Sequence, residues 1–395
     1  MIPLPITHAT LTTALGAGLA AHLEALRAQR CGLVPCAFED VEMPGWIGRA
    51  AGVEDVALPA ALSDWDCRNN RLAWLALQQD GFVQAVQAAR ERWGAHRVAV
   101  LLGTSTSGIL ETERAYARRD EAGALPPDFR YEKTHSTASL ARFVADALGV
   151  TGPSWIVSTA CSSSAKVFGD AARLIEAGWI DAAVVGGVDS LCLTTLYGFQ
   201  SLQLFNADIC RPYDAQRSGV SLGEGAAFSL LQREPVPGEP PLARLLGVGE
   251  SSDAHHMSSP HPEGELAAAA MRQALAGAGL TPAQVDYINL HGTGTPSNDA
   301  AEDKAVLSVF GQQVPCSSTK GATGHTLGAA GGVEAVISLL AIRHGLMPGG
   351  LNVRERDPAL HANYLQANRE QPVRCVLSNS FGFGGSNASL VLGAA

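Results

Sequence analysis

The chain has 395 residues, 46% of them hydrophobic and 17% charged, with a formal net charge of −10. That length and apolar content support a large buried core, and the acidic balance offers no basic face for nucleic acid or an anionic membrane. The eight cysteines form no CxxC pair and no zinc-like spacing, which fits a reducing cytoplasmic setting and predicts no metal site.

The opening stretch, MIPLPITHATLTTALGAGLAAHLEALRAQR, lacks a basic start, and His22 and Glu24 interrupt its apolar run. A secretory leader is therefore not expected. No run of about 18 uninterrupted apolar residues occurs, so no membrane span is expected either. RVAVLLGT then reads as a buried strand, and STACSSSA reads as a strand-to-helix turn. Downstream, Val167, Phe168, Ala171, Leu174 and Ile175 recur at helical spacing up to Gly178, which puts Cys161 at a helix N-terminus. DAAVVGGVDS is a further strand. The Pro/Gly/Glu segment EPVPGEPP, residues 234–241, breaks the pattern and divides the chain into 1–236 and 237–395. The second part supplies the strand-like ARLLGVGESSD, VDYINLHGT, VPCSSTKG and RCVLSNSFGF. Helices are expected from Asn298 to Phe310, behind cap-type Asn298 and Asp299, and from Thr326 to His344. Strands alternating with helices predict parallel α/β units in both parts.

Reactive side chains follow three of these runs: Cys161, His291, and Lys320 with His325. Open α/β sheets bind ligands at the carboxyl ends of their strands, so these residues are expected to share one pocket. A helix N-terminus favours the nucleophilic thiolate of Cys161. The other seven cysteines read as small buried hydrophobes. His291 and His325 are too far apart for an i, i+4 metal pair, and two histidines alone do not complete a metal site. Lys320, expected to end its strand, needs a partner if buried, and Glu334 on the following helix is the candidate. FGFGGSN supplies a tightly bent backbone able to present N–H groups. His255, His256 and His261 lack accompanying carboxylates and read as loop residues. Arg68 and Arg71 are candidates to meet an acidic protein partner.

Taken together, TACSSS, HGTGTP, KGATGH and NSFGFGGSN resemble, in order and spacing from about Val98 to Leu392, the elongating β-ketoacyl-[acyl carrier protein] synthases of the thiolase superfamily. The resemblance implies two similar βαβαβαββ halves stacked in a five-layered αβαβα fold. It implies decarboxylative condensation of malonyl-carrier protein with an acyl group held on Cys161. His291 and His325 would stabilise the enolate, and Lys320 would orient His325 without acting as a base. The amides of Cys161 and Phe383 would form the oxyanion hole, with Phe383 also gating the pocket. Thr293 and Thr295 would bind the phosphopantetheine arm, and Phe199, Phe381 and Glu334 would contact substrate. It further implies carrier-tethered substrates with no separate cofactor. A dimer is implied, either of identical chains or with a chain-length factor, and the apolar stretch Ala160 to Ala172 is its candidate interface.

GTSTSG departs from the usual GSGIGG, placing Thr106 where many relatives carry a bulky apolar residue in the acyl pocket. GTSTSG, RNNRL and STACSSSA together resemble the branch that makes aryl polyene pigments. A thiolase would need a second reactive cysteine where NSFGFGGSN stands. An initiating synthase would carry Asn in place of the second His, and a non-catalytic partner subunit would be expected to lack the nucleophile that this chain retains.

Overall fold

The structure, a computed structural model, describes residues 1–395. In the first half, β1 (Leu4–Thr13), β2 (Val98–Gly103), β3 (Ser154–Val157), β4 (Ala182–Asp189) and β5 (Gly225–Gln232) line up in the order β1-β5-β4-β2-β3. In the second, β6 (Ala243–Ser252), β7 (Tyr287–Asn289), β8 (Pro315–Ser317), β9 (Cys375–Gly382) and β10 (Ser386–Gly393) repeat it as β6-β10-β9-β7-β8. The directions repeat too. The first two pairings of each series are antiparallel and the last two parallel. Each half is therefore a βαβαβαββ unit, as the resemblance implied. Pairing of β1 with β6, Leu4 opposite Leu245, joins the two sheets at their edges.

Helices fill three layers around these sheets: α1 (Arg68–Leu77), α2 (Phe82–Trp93), α3 (Ala138–Leu148), α4 (Ser163–Glu176), α5 (Leu193–Ser201), α6 (Glu265–Ala278), α7 (Pro296–Phe310) and α8 (Ala330–His344). Strand residues alternate between two cores, as a period of two requires. In β2, Val98, Val100 and Leu102 face the outer core with α1, α2 and α3, whereas Ala99 and Leu101 face the central core. Such strands are buried on both faces and read as continuous apolar runs. In the second half α6 and α7 pack on the opposite outer face.

The central layer is α4 against α8. A Cβ on Gly331 would fall 2.7 Å from Ala165, so glycine is required for this approach. Enclosed by two sheets, α8 is apolar on nearly every side, and its one buried charge, Glu334, is paired. Leu327–His344 is the one stretch long and apolar enough to cross a membrane, with mean hydropathy 1.3, and 83% of it is buried inside the fold.

Several sequence expectations need correction. Thr295 caps α7, its hydroxyl accepting the Asn298 N–H at 3.4 Å, so the helix starts before Asn298. A 3₁₀ turn, Leu327–Ala329, precedes α8, which starts at Ala330 and not Thr326. Lys320 opens a short helix, Lys320–Thr323, after β8 has already ended at Ser317. Ala165, Val167, Phe168, Ala171 and Ala172 are already spent on the central core, so Ala160 to Ala172 does not offer an apolar interface.

Candidate active site

The residues expected to meet do so just beyond the C-terminal ends of β3, β7 and β8. Ala160 turns the chain there with a left-handed φ of 50°, which swings Cys161 to the start of α4. Cys161, His291 and His325 are all buried and line a cavity of about 140 Å³. The Nε2 of His325 lies 3.0 Å from Cys161 Sγ, and the two imidazoles meet edge to face with centroids 5.3 Å apart.

What stands behind each ring decides its tautomer. The Leu327 N–H donates to His325 Nδ1 at 3.2 Å, and the Lys320 ammonium lies 3.3 Å from His291 Nδ1. Both Nδ1 atoms therefore accept, which leaves both Nε2 atoms carrying a proton as donors. Burial first, then the Lys320 charge, pushes both histidines well below their usual range, and His325 adds to the effect on His291. The rings are accordingly neutral hydrogen-bond donors at physiological pH.

Three atoms of Cys161, His291 and His325 lie close enough together to hold a metal ion. The groups behind them have the wrong polarity for one. A metal-binding histidine donates its other N–H outward to an acceptor, whereas here both outer nitrogens accept from donors. The trio suits a developing oxyanion and not a cation.

Burial pushes the Cys161 thiol up to about 11, although the Lys320 charge and the Phe383 N–H, which hydrogen-bonds the sulfur, pull it down. Lys320 is itself 1% exposed, bonded to the Glu334 carboxylate and to the His291 carbonyl. Glu334 thus serves Lys320. It does not reach the cavity, which corrects its expected substrate contact.

Thr293, Thr295, Phe199, Phe381 and Phe383 all line the cavity. The hydroxyls of Thr293 and Thr295 are 2.9 Å apart. Phe381 packs beside the His291 ring at 5.9 Å. Thr106 is absent from the lining: its hydroxyl and amide both bond Asp189 Oδ1, at 2.7 and 2.8 Å, so the acyl-pocket role expected of it is not met. Arg68 is also corrected. It is 7% exposed and grips Glu224 through two nitrogens, leaving Arg71 as the half-exposed arginine of that pair.

Sequence reasoning missed a row of buried acids on α7. Asp299 accepts the N–H groups of Tyr213 and Gly294, Glu302 those of His291 and Gly292, and Asp303 those of His361 and Ala362. Burial raises the Glu302 carboxyl to about 7 against the pull of these N–H donors and of Asn379. The i, i+3, i+4 spacing of NDAAED was the available signal, since it puts all three on one helix face.

Both halves also match known proteins. Residues 69–236 match the family model for the beta-ketoacyl synthase N-terminal domain, and residues 242–354 match that for the C-terminal domain. A 3-oxoacyl-[acyl-carrier-protein] synthase 2 of Coxiella burnetii is 35% identical over 340 residues, 79% of this chain and 82% of that protein. The mitochondrial 3-oxoacyl-[acyl-carrier-protein] synthase of Arabidopsis thaliana is 42% identical over 261 residues, which is 62% of this chain and 57% of the plant protein. Among solved structures, the ketosynthase ApeO, in complex with its chain length factor ApeC from Xenorhabdus doucetiae, superposes with a TM-score of 0.90 at 39% identity, covering 100% of this chain and 98% of that one. A fold of two repeated halves, with a cysteine and two donor histidines at its strand ends and both domain models in sequence, makes this chain a member of the β-ketoacyl synthase family.

Proposed function

We propose that the chain elongates acyl thioesters by decarboxylative condensation, with residues 1–236 supplying the nucleophile and residues 237–395 the two histidines. The observation that carries this reading is the meeting of three buried groups in one cavity: His325 Nε2 lies 3.0 Å from the Cys161 sulfur, and the His291 ring stands edge to face beside that of His325. Cys161 attacks the thioester carbonyl of an acyl-carrier protein. The resulting oxyanion accepts from the amides of Cys161 and Phe383, and the phosphopantetheine thiol departs with the cysteine proton. Malonyl-carrier protein then enters. Its C–C bond to the carboxylate breaks, CO₂ leaves, and the electron pair passes to the thioester oxygen, which His291 and His325 stabilise as an enolate. The enolate carbon bonds to the acyl carbonyl, and the Cys161 sulfur leaves and takes a proton from solvent.

The Lys320 ammonium stands against His291 and not His325, which corrects the orienting role expected of it: Lys320 keeps His291 Nε2 protonated, the Leu327 N–H holds His325, and Lys320 contributes no base. Thr293 and Thr295 bind the phosphopantetheine arm, in keeping with their hydroxyls on the cavity wall. Substrates arrive tethered to a carrier protein.

A partner subunit is part of this reading. The edge strand β3 pairs on one side only, and its Trp155, Ile156 and Val157 are half-exposed, which suits extension of the sheet by a second thiolase-fold chain. The likeness to a ketosynthase described with its chain length factor supports a heterodimer, and GTSTSG, RNNRL and STACSSSA support aryl polyene synthesis as the setting. Incubating the purified chain with acyl-carrier protein is expected to leave acyl mass on Cys161, and malonyl-carrier protein is then expected to release a 3-ketoacyl product. Absence of acyl mass on Cys161 from every thioester offered, whether the chain is alone or with its partner, overturns the reading.

A further inference from the structure

Asp189 ends β4 with its side chain completely buried, and it forms no ion pair. A buried carboxylate without a cation must be held by hydrogen bonds. Oδ1 accepts from Thr104 Oγ1 at 2.7 Å, Ser105 N at 2.8 Å, Thr106 N at 2.8 Å and Thr106 Oγ1 at 2.7 Å. Oδ2 accepts from Ser105 N at 3.1 Å and from Ala329 N at 3.2 Å. The two oxygens thus divide their work. One is devoted to the loop after β2 in the first half, and the other reaches across to the turn before α8 in the second.

That turn is the one that sets the His325 tautomer. It runs through Leu327, held at a left-handed φ of 52°, whose N–H donates to His325 Nδ1. A leucine there is strained and persists only when its surroundings hold it. The Ala329 N–H bond to Asp189, two residues on, is such a hold. The same turn packs tightly on this loop, since a Cβ at Gly328 would fall 2.8 Å from both Asp189 Oδ2 and Ser105 Oγ.

We propose that Asp189 is a positioning residue that clamps the Leu327–Ala329 turn to the Thr104–Thr106 loop and thereby keeps His325 in the Nε2–H tautomer that the condensation step uses. The inference rests on the condensing role assigned to His325 above, and it goes further by naming what fixes that role. It also gives Thr106 a function other than lining the cavity: its hydroxyl satisfies Oδ1, leaving Oδ2 for Ala329.

Asp189→Asn is the direct test. The amide oxygen can keep the Oδ1 donors, while its NH₂ group faces the Ala329 N–H and can no longer accept from it. In the full chain, labelled with ¹⁵N-histidine, the His325 ring nitrogens are expected to shift from a pure Nε2–H signature to a mixture. Acyl loading of Cys161 is expected to stay within about twofold while condensation with malonyl-carrier protein falls about 10- to 100-fold. Thr106→Val provides a second variant should Asp189→Asn fail to fold. It removes one donor from Oδ1 without changing side-chain shape, so its expected effect has the same sign and smaller size. An unchanged His325 signature with unchanged condensation, in whichever variant folds, overturns the proposal. So does an equal loss of loading and condensation with the signature unchanged, because that is the mark of a merely structural residue. The nitrogen signature does not depend on turnover, so a wild-type chain that failed to condense would refute the functional reading and leave this test standing.

Discussion

Phe199, on α5 of the first half, stacks its ring on that of Phe383, in the turn between β9 and β10 of the second, with centroids 5.5 Å apart and planes 21° from parallel. The pair closes the cavity over Cys161, and such aromatic contacts are worth about 0.5–1.5 kcal/mol beyond their buried area. Phe199→Ala is expected to open the wall, so that longer or bulkier acyl groups load onto Cys161 at rates that wild type does not reach. Intact-protein mass spectrometry across a series of acyl chain lengths reads this out. An unchanged length profile would remove Phe199 from the acyl wall.

In the proposed mechanism the two histidines act after loading, because the enolate forms only in the second half-reaction. Replacing His291 or His325 by Ala is expected to preserve most acylation and remove about 10²- to 10³-fold of condensation, the usual loss for one oxyanion donor. Cys161→Ala is expected to abolish loading outright. Single-turnover assays that separate the half-reactions distinguish these outcomes, and loss of loading in both folded histidine variants contradicts the assignment.

Burial holds the Cys161 thiol protonated up to about 11, against the pull of Lys320 and the Phe383 amide. Only the thiolate alkylates, so capture by iodoacetamide is expected to rise about tenfold per pH unit between roughly pH 7 and 10 and to level off near 11. Lys320→Met removes the nearest cation and is expected to move that midpoint higher. A plateau below about pH 8 in wild type would show that the start of α4 outweighs desolvation.

Removing Lys320 leaves the Glu334 carboxylate buried and unpaired. Lys320→Met is expected to destabilise the fold by about 3–5 kcal/mol, as measured by denaturant titration. Adding Glu334→Gln, which removes the orphaned charge, is expected to recover most of that loss. Condensation is expected to stay low in both variants, since His291 Nδ1 still lacks its donor. Recovery of activity along with stability would make the pair purely structural.

The nucleophile and its helix were legible because the signal was local: small residues around Cys161 followed by apolar residues at helical spacing. His291 was legible as a residue at a strand end, Lys320 and His325 as residues in the segment that follows one, and the repeated halves through the family likeness. What stayed hidden depends on distant partners. Arg68 reads as a surface charge until Glu224, 156 positions away, buries it. Thr106 reads as a pocket residue until Asp189, 83 positions on, takes both its hydroxyl and its amide. No periodicity reports such pairings, because the hydrogen bonds that define them close only when the first half folds and brings segments far apart in sequence together.

The enclosure of α8 carries a consequence for synthesis. Its neighbours α4 and β4 come off the ribosome more than a hundred residues earlier, and until Ala330–His344 follows, the apolar face it will cover has no cover. A chain halted after the first half is therefore expected to hold its strand order while binding hydrophobic dyes or chaperones. The helix itself, apolar along most of its surface apart from Glu334, Ser338 and its basic last turn, is exposed to the same hazard from the moment it emerges until it slots between the sheets.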